Sequence, residues 1–516
     1  CDSLVPGDVV SAQGDERASQ PANTLCALSN FHTVGLGSST METEGEQPTE
    51  VGKIFAQFKS AAGDLTGPQL EVPLNLTSRQ LNGVLNELLG NERADPYSFY
   101  INDQEVAGTL QQVVDELKLS TEVVVSITYQ PQATFRVSEV TRCSGTLPGH
   151  TEAILCVAFS PDCKQLLTGS GDATLRFWEV FTEGPTGTCR GHTNWVLCCA
   201  FSPDGLLAAS GSMDKDARVW DPKTAQGVGK PLKGHTKWIT NLAWEPLHLT
   251  PDTPSRRLVT ASKDGTLRVW DAPTARSVHV LSGHTSAVTS VRWSGEGLIL
   301  SGSEDRTIKV WDPSKGILCR SLEGHAHWVN HVALSSDHVL RNAPPNAKER
   351  LLSPKQRYDA AVGAEGVERL VSASDDHTMY LWEPSRSKKP LTRMTGHVQP
   401  INHVSFSPNG RLIASASFDK SVRLWHGASG KFLAALRGHV GPVYQVAWAS
   451  DSRLLVSASK DSTLKLWDVD PGSKTFGKLK QDLPGHADEV FAVDWSADGA
   501  KVASGSKDCS LKLWRH

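Results

Sequence analysis

One pattern of apolar and polar positions recurs eight times between residues 145 and 516 of this 516-residue chain. In the repeat LLTGSGDATLRFW, apolar residues such as Leu175 and Phe177 alternate with other side chains beyond a short polar turn at Asp172. A period of two is typical of a β-strand that buries one face, and aspartate tolerates the backbone of a tight turn. Each repeat therefore predicts a strand, a turn and a second strand.

The repeats also share landmarks: a Gly-His pair at the start, a tryptophan at the end, an aspartate six residues before it and a serine two residues before the aspartate. In the first repeat this serine is Ser170. The arrangement resembles WD repeats closely, which implies that the histidine, serine, aspartate and tryptophan share a buried hydrogen-bond network. The other members of this predicted structural network are His150, Asp172, Trp178, His192, Asp214, Trp220, His235, Asp264, Trp270, His284, Asp305, Trp311, His325, Asp376, Trp382, His397, Asp419, Trp425, His439, Asp461, Trp467, His486, Asp508 and Trp514.

A four-stranded blade built from one repeat has two apolar faces, so it must stack on neighbouring blades. We therefore expect a mainly β fold with an eight-bladed propeller over residues 148–516. The sequence ends two residues after Trp514, which leaves the last blade without an outer strand. The β-rich stretch Thr134–Leu147, within a linker of residues 131–147, is predicted to supply that strand.

The co-occurrence of serine, histidine and aspartate invites comparison with a catalytic triad. A triad need occur only once, whereas this set occurs eight times, so we interpret it as structural. The sequence also contains no P-loop, metalloprotease helix or nucleophile elbow, and its ten cysteines show no C-x-x-C spacing. The sequence predicts no enzymatic activity and no small-molecule substrate.

Two repeats carry insertions. The third is extended around Glu245–Arg257, and the fifth spans 57 residues from His325 to Trp382 where 28 is usual. The extra segment of the fifth repeat covers about residues 337–368. Its simplest interpretation is a mobile surface loop, and its Lys and Arg content leaves contact with a ribonucleoprotein open.

Three repeats place a tryptophan three residues after the Gly-His histidine, at Trp195, Trp238 and Trp328. This position falls where the chain enters the innermost strand, near one mouth of the ring. Clustered exposed tryptophans are good binding anchors, so we predict a partner-binding face here. Packing at the rim is the alternative.

Residues 51–130 follow a different pattern. Two predicted strands precede TSRQLNGVLNELLG, in which Leu81 and Leu85 recur at helical spacing and Thr77 with Gln80 forms a capping box. A strand, a short helix and a final strand follow, which is the order of a ubiquitin-like β-grasp (α+β) domain. Residues 1–50 are predicted to be disordered, and Met41 is a candidate start of the mature protein.

Charge is divided unevenly between these parts. Residues 1–134 contain 6 Lys and Arg against 18 Asp and Glu, whereas residues 135–516 contain 46 against 38. The whole chain has a formal net charge of −4. The asymmetry indicates two kinds of partner, one for an acidic head and one for a basic body. No apolar run of the length needed to span a membrane is present, so we expect no membrane partner.

Several stretches are more specific than generic WD sequence, among them HTKWITNLAWEPLH, LTRMTGH and LPGHADEVFAVDW. With the ubiquitin-like head, they resemble the Notchless family over about residues 51–516. The resemblance implies a non-enzymatic assembly factor of the large (60S) ribosomal subunit in the nucleus and nucleolus. It implies that the propeller docks on the pre-60S particle, through rRNA, ribosomal proteins or other assembly factors. It also implies that the ubiquitin-like (NLE) domain is pulled by the AAA ATPase midasin, which remodels the particle and releases factors.

In that family a glutamate of the ubiquitin-like domain donates a carboxylate to a cation in the metal-ion-dependent adhesion site of midasin. The matching position here is Glu92, in LLGNERADPYSFY, and Asp95 is the alternative because the loop is less acidic than the family version. A divalent cation such as Mg²⁺, which prefers oxygen ligands, would bridge the two proteins, and the chain alone is expected to bind no cofactor. Judged without the resemblance, Glu92 is an ordinary solvated turn carboxylate.

Two other roles stay open. WD propellers also serve as substrate receptors of ubiquitin ligases, although no F-box or equivalent adaptor-docking element is visible. The family name suggests a signalling scaffold that modulates Notch, and nothing in the residues separates that role from ribosome assembly.

Overall fold

The computed structural model describes two folded parts, an α+β domain and a β-propeller. The described residues are 52–60, 65–89, 97–102, 104–106, 108–117, 124–131, 137–250, 257–342, 351–363 and 366–516. The predicted disordered segment 1–50 and both predicted metal-ligating residues, Glu92 and Asp95, lie outside them. Within the described residues, no helix is both long and apolar enough to cross a membrane.

The described residues of the N-terminal domain form a five-stranded sheet with two helices. The strands run in the order β2-β1-β5-β3-β4, with β1 and β5 parallel at the centre. This is the ubiquitin-like arrangement expected from the sequence. Its elements are β1 (Lys53–Ser60), β2 (Leu65–Pro73), α1 (Ser78–Leu89), β3 (Tyr97–Ile101), β4 (Gln104–Glu105), α2 (Leu110–Glu116) and β5 (Val125–Pro131).

Helix α1 forms where the sequence places both a start signal and an apolar face. The backbone N–H of Thr77 donates to the Gln80 side chain at 2.9 Å, which satisfies one orphan donor at the helix start. Leu81 and Leu85, one turn apart, are fully buried against the sheet. They complete a core whose large members include Phe58.

The propeller consists of eight antiparallel four-stranded sheets. The closing strand β6 covers Arg142–Leu147. Blades 1 to 4 contain β7 (Ile154–Phe159), β8 (Gln165–Ser170), β9 (Leu175–Glu179), β10 (Gly184–Cys189), β11 (Val196–Phe201), β12 (Ala208–Ser212), β13 (Ala217–Asp221), β14 (Gln226–Gly227), β15 (Ile239–Trp244), β16 (Arg257–Ser262), β17 (Thr266–Asp271), β18 (Arg276–Ser282), β19 (Val288–Trp293), β20 (Ile299–Ser303), β21 (Thr307–Asp312) and β22 (Ile317–Glu323). Blades 5 to 8 contain β23 (Val329–Leu334), β24 (Leu370–Ser374), β25 (Thr378–Trp382), β26 (Thr392–Thr395), β27 (Ile401–Phe406), β28 (Leu412–Ser417), β29 (Ser421–His426), β30 (Phe432–Arg437), β31 (Val443–Trp448), β32 (Leu454–Ser459), β33 (Thr463–Asp468), β34 (Leu479–Pro484), β35 (Val490–Trp495), β36 (Lys501–Ser506) and β37 (Leu511–Arg515).

The ring closes through the strand that precedes the first repeat. Strand β6 pairs antiparallel with β37, and Leu147 lies opposite Leu511. The strand expected between Thr134 and Leu147 is therefore present as the outer strand of blade 8. The innermost strand of blade 8 also packs beside that of blade 1, where the backbone N–H of Phe159 donates to Asp494 at 2.9 Å. Both ends of the propeller are thus held in one sheet.

The fifth-blade insertion is packed where the structure describes it, which corrects the expectation of a mobile loop. Its described residues include two short helices, α3 (Asp337–Arg341) and α4 (Pro354–Val362). Arg341 pairs with Asp494 of the innermost strand of blade 8 at 2.8 Å. Because blades 5 and 8 are not neighbours, α3 reaches over the mouth of the central channel.

The insertions of blades 3 and 5 also contact each other. Tyr358 of α4 stacks on His248, in the 3-10 helix Leu247–Leu249, with ring centroids 4.7 Å apart. His248 bonds the carbonyl of Gly295 in blade 4 at 2.7 Å. A Cβ on Gly295 would lie 2.0 Å from the Tyr358 ring, so only glycine fits there. Both insertions connect the first and second strands of their blades, and they share one face of the propeller.

We expect the stability of the propeller to depend on β6. A variant that starts at residue 148 lacks this strand and leaves the edge of β37 bare, so its midpoint of thermal unfolding should fall by several degrees and it should self-associate. Circular dichroism and light scattering measure both effects.

The matched control starts at residue 137 and retains β6, together with the bond from the Val137 backbone to Asp451 at 2.9 Å. It should unfold at the temperature of the propeller in the full chain. Equal midpoints for the two truncated variants would contradict closure by β6.

Candidate interaction surfaces

The histidine and tryptophan of every blade meet at one buried hydroxyl, and the aspartate binds the other ring nitrogen of the histidine. The histidine Nδ1 lies 2.7–3.0 Å from the aspartate, and its Nε2 lies 2.7–2.8 Å from the hydroxyl oxygen. The tryptophan N–H donates to the same oxygen at 2.8–3.0 Å. The hydroxyl groups belong to Thr168, Ser210, Thr260, Ser301, Ser372, Ser415, Ser457 and Ser504.

This hydroxyl is not the one expected from the sequence. Ser170 lies two residues nearer the turn, where it donates to the carbonyl of Glu152 at 2.9 Å and accepts the backbone N–H of Asp172 at 3.2 Å. Thr168, four residues before Asp172, bridges the imidazole and the indole instead. Both residues lie on the same face of β8 because they are two apart. The sequence does contain a signal for the second hydroxyl, since every repeat has Ser or Thr both two and four residues before the aspartate.

The network shifts the ionisation of its members. Burial alone would raise the pKa of Asp214, but the hydrogen bond and charge of His192 outweigh burial and lower it to about 2. In blade 8, burial is likewise outweighed by bonds from Ser510, the backbone N–H of Ala487 and His486, and the pKa of Asp508 falls to about 2. Burial also lowers the pKa of His486. In blade 8 at neutral pH, the neutral imidazole of His486 therefore donates its Nδ1–H to the charged carboxylate of Asp508.

A side chain from the neighbouring strand explains why the residue before the histidine is glycine. At Gly396 the backbone φ is +152°, and an added Cβ would lie 2.3 Å from the guanidinium of Arg423. Any larger residue would displace Arg423 from its place against the loop.

The tryptophan face consists of Trp195, Trp238 and Trp328, which belong to blades 2, 3 and 5. Their side chains are 46%, 40% and 47% exposed, so rim packing leaves much of each indole open. Each precedes the innermost strand and accepts, through its carbonyl, the backbone N–H of the residue before the network aspartate, at 2.9–3.0 Å. The face is therefore fixed to the turns between the second and third strands, opposite the insertions.

The three tryptophans have different electrostatic surroundings. Lys263 Nζ lies over the Trp238 ring, 4.8 Å from its centroid. Trp328 instead adjoins His327, which pairs with Asp375 at 3.6 Å. The three tryptophans predicted to form one binding face therefore differ in the charge around them.

The segment that carries Glu92 and Asp95 connects two fixed elements. Helix α1 ends at Leu89 and β3 begins at Tyr97, whose backbone N–H donates to Asn82 of α1 at 2.9 Å. The structure thus ties the start of β3 to the helix, although it does not describe the two acidic residues themselves. Among the described residues, no group of three His, Cys, Asp or Glu side chains is arranged to hold a metal.

Comparisons with known proteins match both parts of this architecture. The NLE (NUC135) domain matches residues 54–114. The chain is 52% identical to the "Notchless protein homolog" of Arabidopsis thaliana, over 75% of this chain and 82% of that protein. The chain belongs to the Notchless family. Matches to the WD domain, G-beta repeat, cover residues 141–179, 183–221, 228–271, 275–312, 316–383, 388–426, 430–468 and 477–515.

Other relatives of this Notchless chain agree. It is 48% identical to "Protein Notchless" of Drosophila melanogaster, over 72% of this chain and 78% of that protein. It is 45% identical to "Ribosome assembly protein 4" of Saccharomyces cerevisiae, over 75% of this chain and 80% of that protein. The crystal structure of the computationally designed Ika8 protein superimposes with a TM-score of 0.57 at 26% identity, covering 73% of this chain and all of that one. The predicted family and fold class are thereby confirmed.

The bridging hydroxyl should be worth more than a single hydrogen bond. In Ser457→Ala, His439 Nε2 and Trp467 Nε1 both lose their partner while buried, so the free energy of unfolding should fall by about 2–5 kcal/mol. Chemical denaturation monitored by tryptophan fluorescence measures the loss. Ser457→Thr is the matched control, because threonine fills this position in blades 1 and 3, and its stability should stay within about 1 kcal/mol of wild type. Equal losses in the two variants would show that the hydroxyl is not the cause.

The ionisation of Asp214 should make stability fall in acid. Its folded pKa of about 2 lies below the unfolded value of about 3.9. The stabilisation is therefore complete above about pH 4 and is lost as the pH falls towards 2. The difference in unfolding midpoint between wild type and Asp214→Asn should shrink over this interval. A constant difference for Asp214→Asn would exclude the predicted pKa.

Proposed function

We propose that this chain is a non-enzymatic assembly factor of the large (60S) ribosomal subunit. The observation that carries the proposal is 45% identity over three quarters of the chain to proteins named "Ribosome assembly protein 4" in two fungi. The two-part architecture fits such a factor, because a ring of blades presents a broad docking surface and a small head can be held separately. The proposed location is the nucleus and nucleolus.

The propeller is proposed to dock on the pre-60S particle, through rRNA, ribosomal proteins or other assembly factors. Its part of the sequence carries 46 Lys and Arg against 38 Asp and Glu, which suits a particle rich in phosphate. The repeated Ser, His and Asp side chains are engaged with each other in a buried network, as described above. This supports a structural rather than a catalytic role for them.

The ubiquitin-like domain is proposed to bind midasin through a shared metal ion. Glu92 would donate a carboxylate oxygen to a divalent cation such as Mg²⁺ in the adhesion site of midasin, with Asp95 as the alternative ligand. The acidic composition of residues 1–134 supports a cation-bearing partner. The bond from Tyr97 to Asn82 holds β3 on α1, so force applied at Glu92 would pass directly into the sheet and helix. Pulling by midasin would then remodel the particle.

Replacing Glu92 tests this contact. In the full-length chain, Glu92→Gln removes the charged ligand without changing the size of the side chain, so affinity for the midasin adhesion domain in Mg²⁺ should fall at least about tenfold, or about 1.4 kcal/mol. Calorimetry with and without EDTA measures whether binding requires the metal ion and whether it requires the carboxylate of Glu92.

Glu87→Gln is the matched control, since Glu87 is an exposed glutamate on α1 five residues earlier. It should bind as wild type does. If Asp95→Asn abolishes binding and Glu92→Gln does not, the ligand is Asp95. Binding that survives EDTA and both Glu92→Gln and Asp95→Asn would refute the metal contact.

A further inference from the structure

The tryptophan face contains a positively charged sector on two neighbouring blades. We define the blade 2–3 patch as Trp195 and Lys215 of blade 2 with Lys237, Trp238 and Lys263 of blade 3. All five side chains are exposed. Within the described part of the chain, none of the three lysines lies within ion-pair distance of a carboxylate. Their charges are therefore available to a ligand.

The geometry of the patch combines flat aromatic surfaces with these cations. Lys263 Nζ lies over the Trp238 ring, 4.8 Å from its centroid, so a base must displace this ammonium group in order to stack on that face. The carbonyls of Trp195 and Trp238 are both bonded to the neighbouring turns at 2.9 Å, so the two main chains are held in place. Trp238 has the Lys263 ammonium group at its ring and follows Lys237 in the chain, so this part of the patch suits a planar anionic ligand.

The positive charge of the blade 2–3 patch is limited on the side that faces blade 1. A Cβ built on Gly171 would lie 3.4 Å both from the Glu152 carboxylate and from the Trp195 indole nitrogen. Glu152 of blade 1 therefore lies close to the outer edge of Trp195. A polyanion would be repelled there and would lie towards blade 3, where Lys237 and Lys263 are.

Trp328 provides an internal comparison. It is at least as exposed as Trp238 and occupies the same place in its repeat. Its neighbours, however, are His327 and the carboxylate of Asp375, which also bonds Asn330. Trp328 is thus equivalent to Trp238 as an indole, but it has a carboxylate nearby where Trp238 has the Lys263 ammonium group.

We propose that the blade 2–3 patch binds single-stranded RNA, with bases stacked on Trp195 and Trp238 and phosphates paired with the lysines. The inference rests on the proposed ribosomal function and specifies the ligand of one propeller sector. RNA is favoured over an acidic peptide because an open indole face stacks with any base and needs no pocket for a side chain. The regular phosphate charge also matches several cations that have no carboxylate partner.

Fluorescence anisotropy of the full-length chain with a labelled adenosine oligoribonucleotide of about 12 nucleotides tests the proposal. Trp195→Ala and Trp238→Ala should each weaken binding by between about fivefold and about a hundredfold, the range found for loss of one stacked base. Trp238→Phe should restore most of the affinity, because phenylalanine still stacks. Thermal unfolding of each variant checks that the propeller remains folded.

The matched control is Trp328→Ala, which removes an equally exposed indole from an acidic setting and should change RNA affinity by less than about twofold. Replacing Lys237 and Lys263 by glutamine should flatten the dependence of log affinity on log salt by about 1.4, or about 0.7 for each lost phosphate contact. A base-paired RNA of the same length should bind more weakly, since its bases are not free to stack.

Three results would overturn the assignment: no saturable binding of the oligonucleotide by wild type, equal effects of Trp328→Ala and Trp238→Ala, or tighter binding of an oligoglutamate peptide that the same substitutions abolish. The last would identify an acidic protein partner instead. Sedimentation with pre-60S particles separates this failure from that of the proposed function. If wild type cosediments but binds no oligonucleotide, only the RNA site is wrong, whereas absence of cosedimentation refutes the ribosomal role.

Discussion

The structure of the propeller depends on one buried oxygen in each blade. A sheet without helices must bury an indole N–H and an imidazole near its edge, and each unpaired donor would cost about 1–3 kcal/mol. A single serine or threonine hydroxyl satisfies both, and the aspartate fixes the histidine tautomer from the other side. The sets differ little in geometry from blade to blade, so each blade adds the same increment of stability and the same shape to the ring.

Closure of the ring requires the eighth blade to have the same four-stranded form as the other seven. Seven blades take all four strands from one continuous stretch, and the eighth takes its outer strand from β6. Because β6 precedes the first blade in the chain, the last sheet is incomplete without the beginning of the propeller. Helix α3 adds a second long-range tie, from Arg341 to Asp494, across the channel mouth. Unfolding of either end therefore removes support from the other.

Much of this was predictable from the sequence, because repetition amplifies a weak local pattern. The eight blades, the closing strand and the β-grasp order all followed from spacing and alternation. The choice between Thr168 and Ser170 did not, because both lie on one strand face and only the position of the indole separates them. The contact of Arg341 with Asp494 joins residues 153 positions apart, and no local pattern encodes it. Glu92 came from family resemblance alone, since an isolated turn carboxylate has no distinguishing pattern.

The two faces of the propeller differ in what they can offer a partner. The network residues are nearly the same in every blade and are buried, so they cannot distinguish one sector from another. On the face with the insertions, α3 and α4 use side chains such as Arg341 and Tyr358 to bind the propeller itself. The opposite face keeps its variable turn residues exposed, with cations beside Trp238 and a carboxylate near Trp328. Selectivity for a partner must therefore arise from these few turn positions, where substitution changes the surface without disturbing the hydrogen bonds that hold the blade.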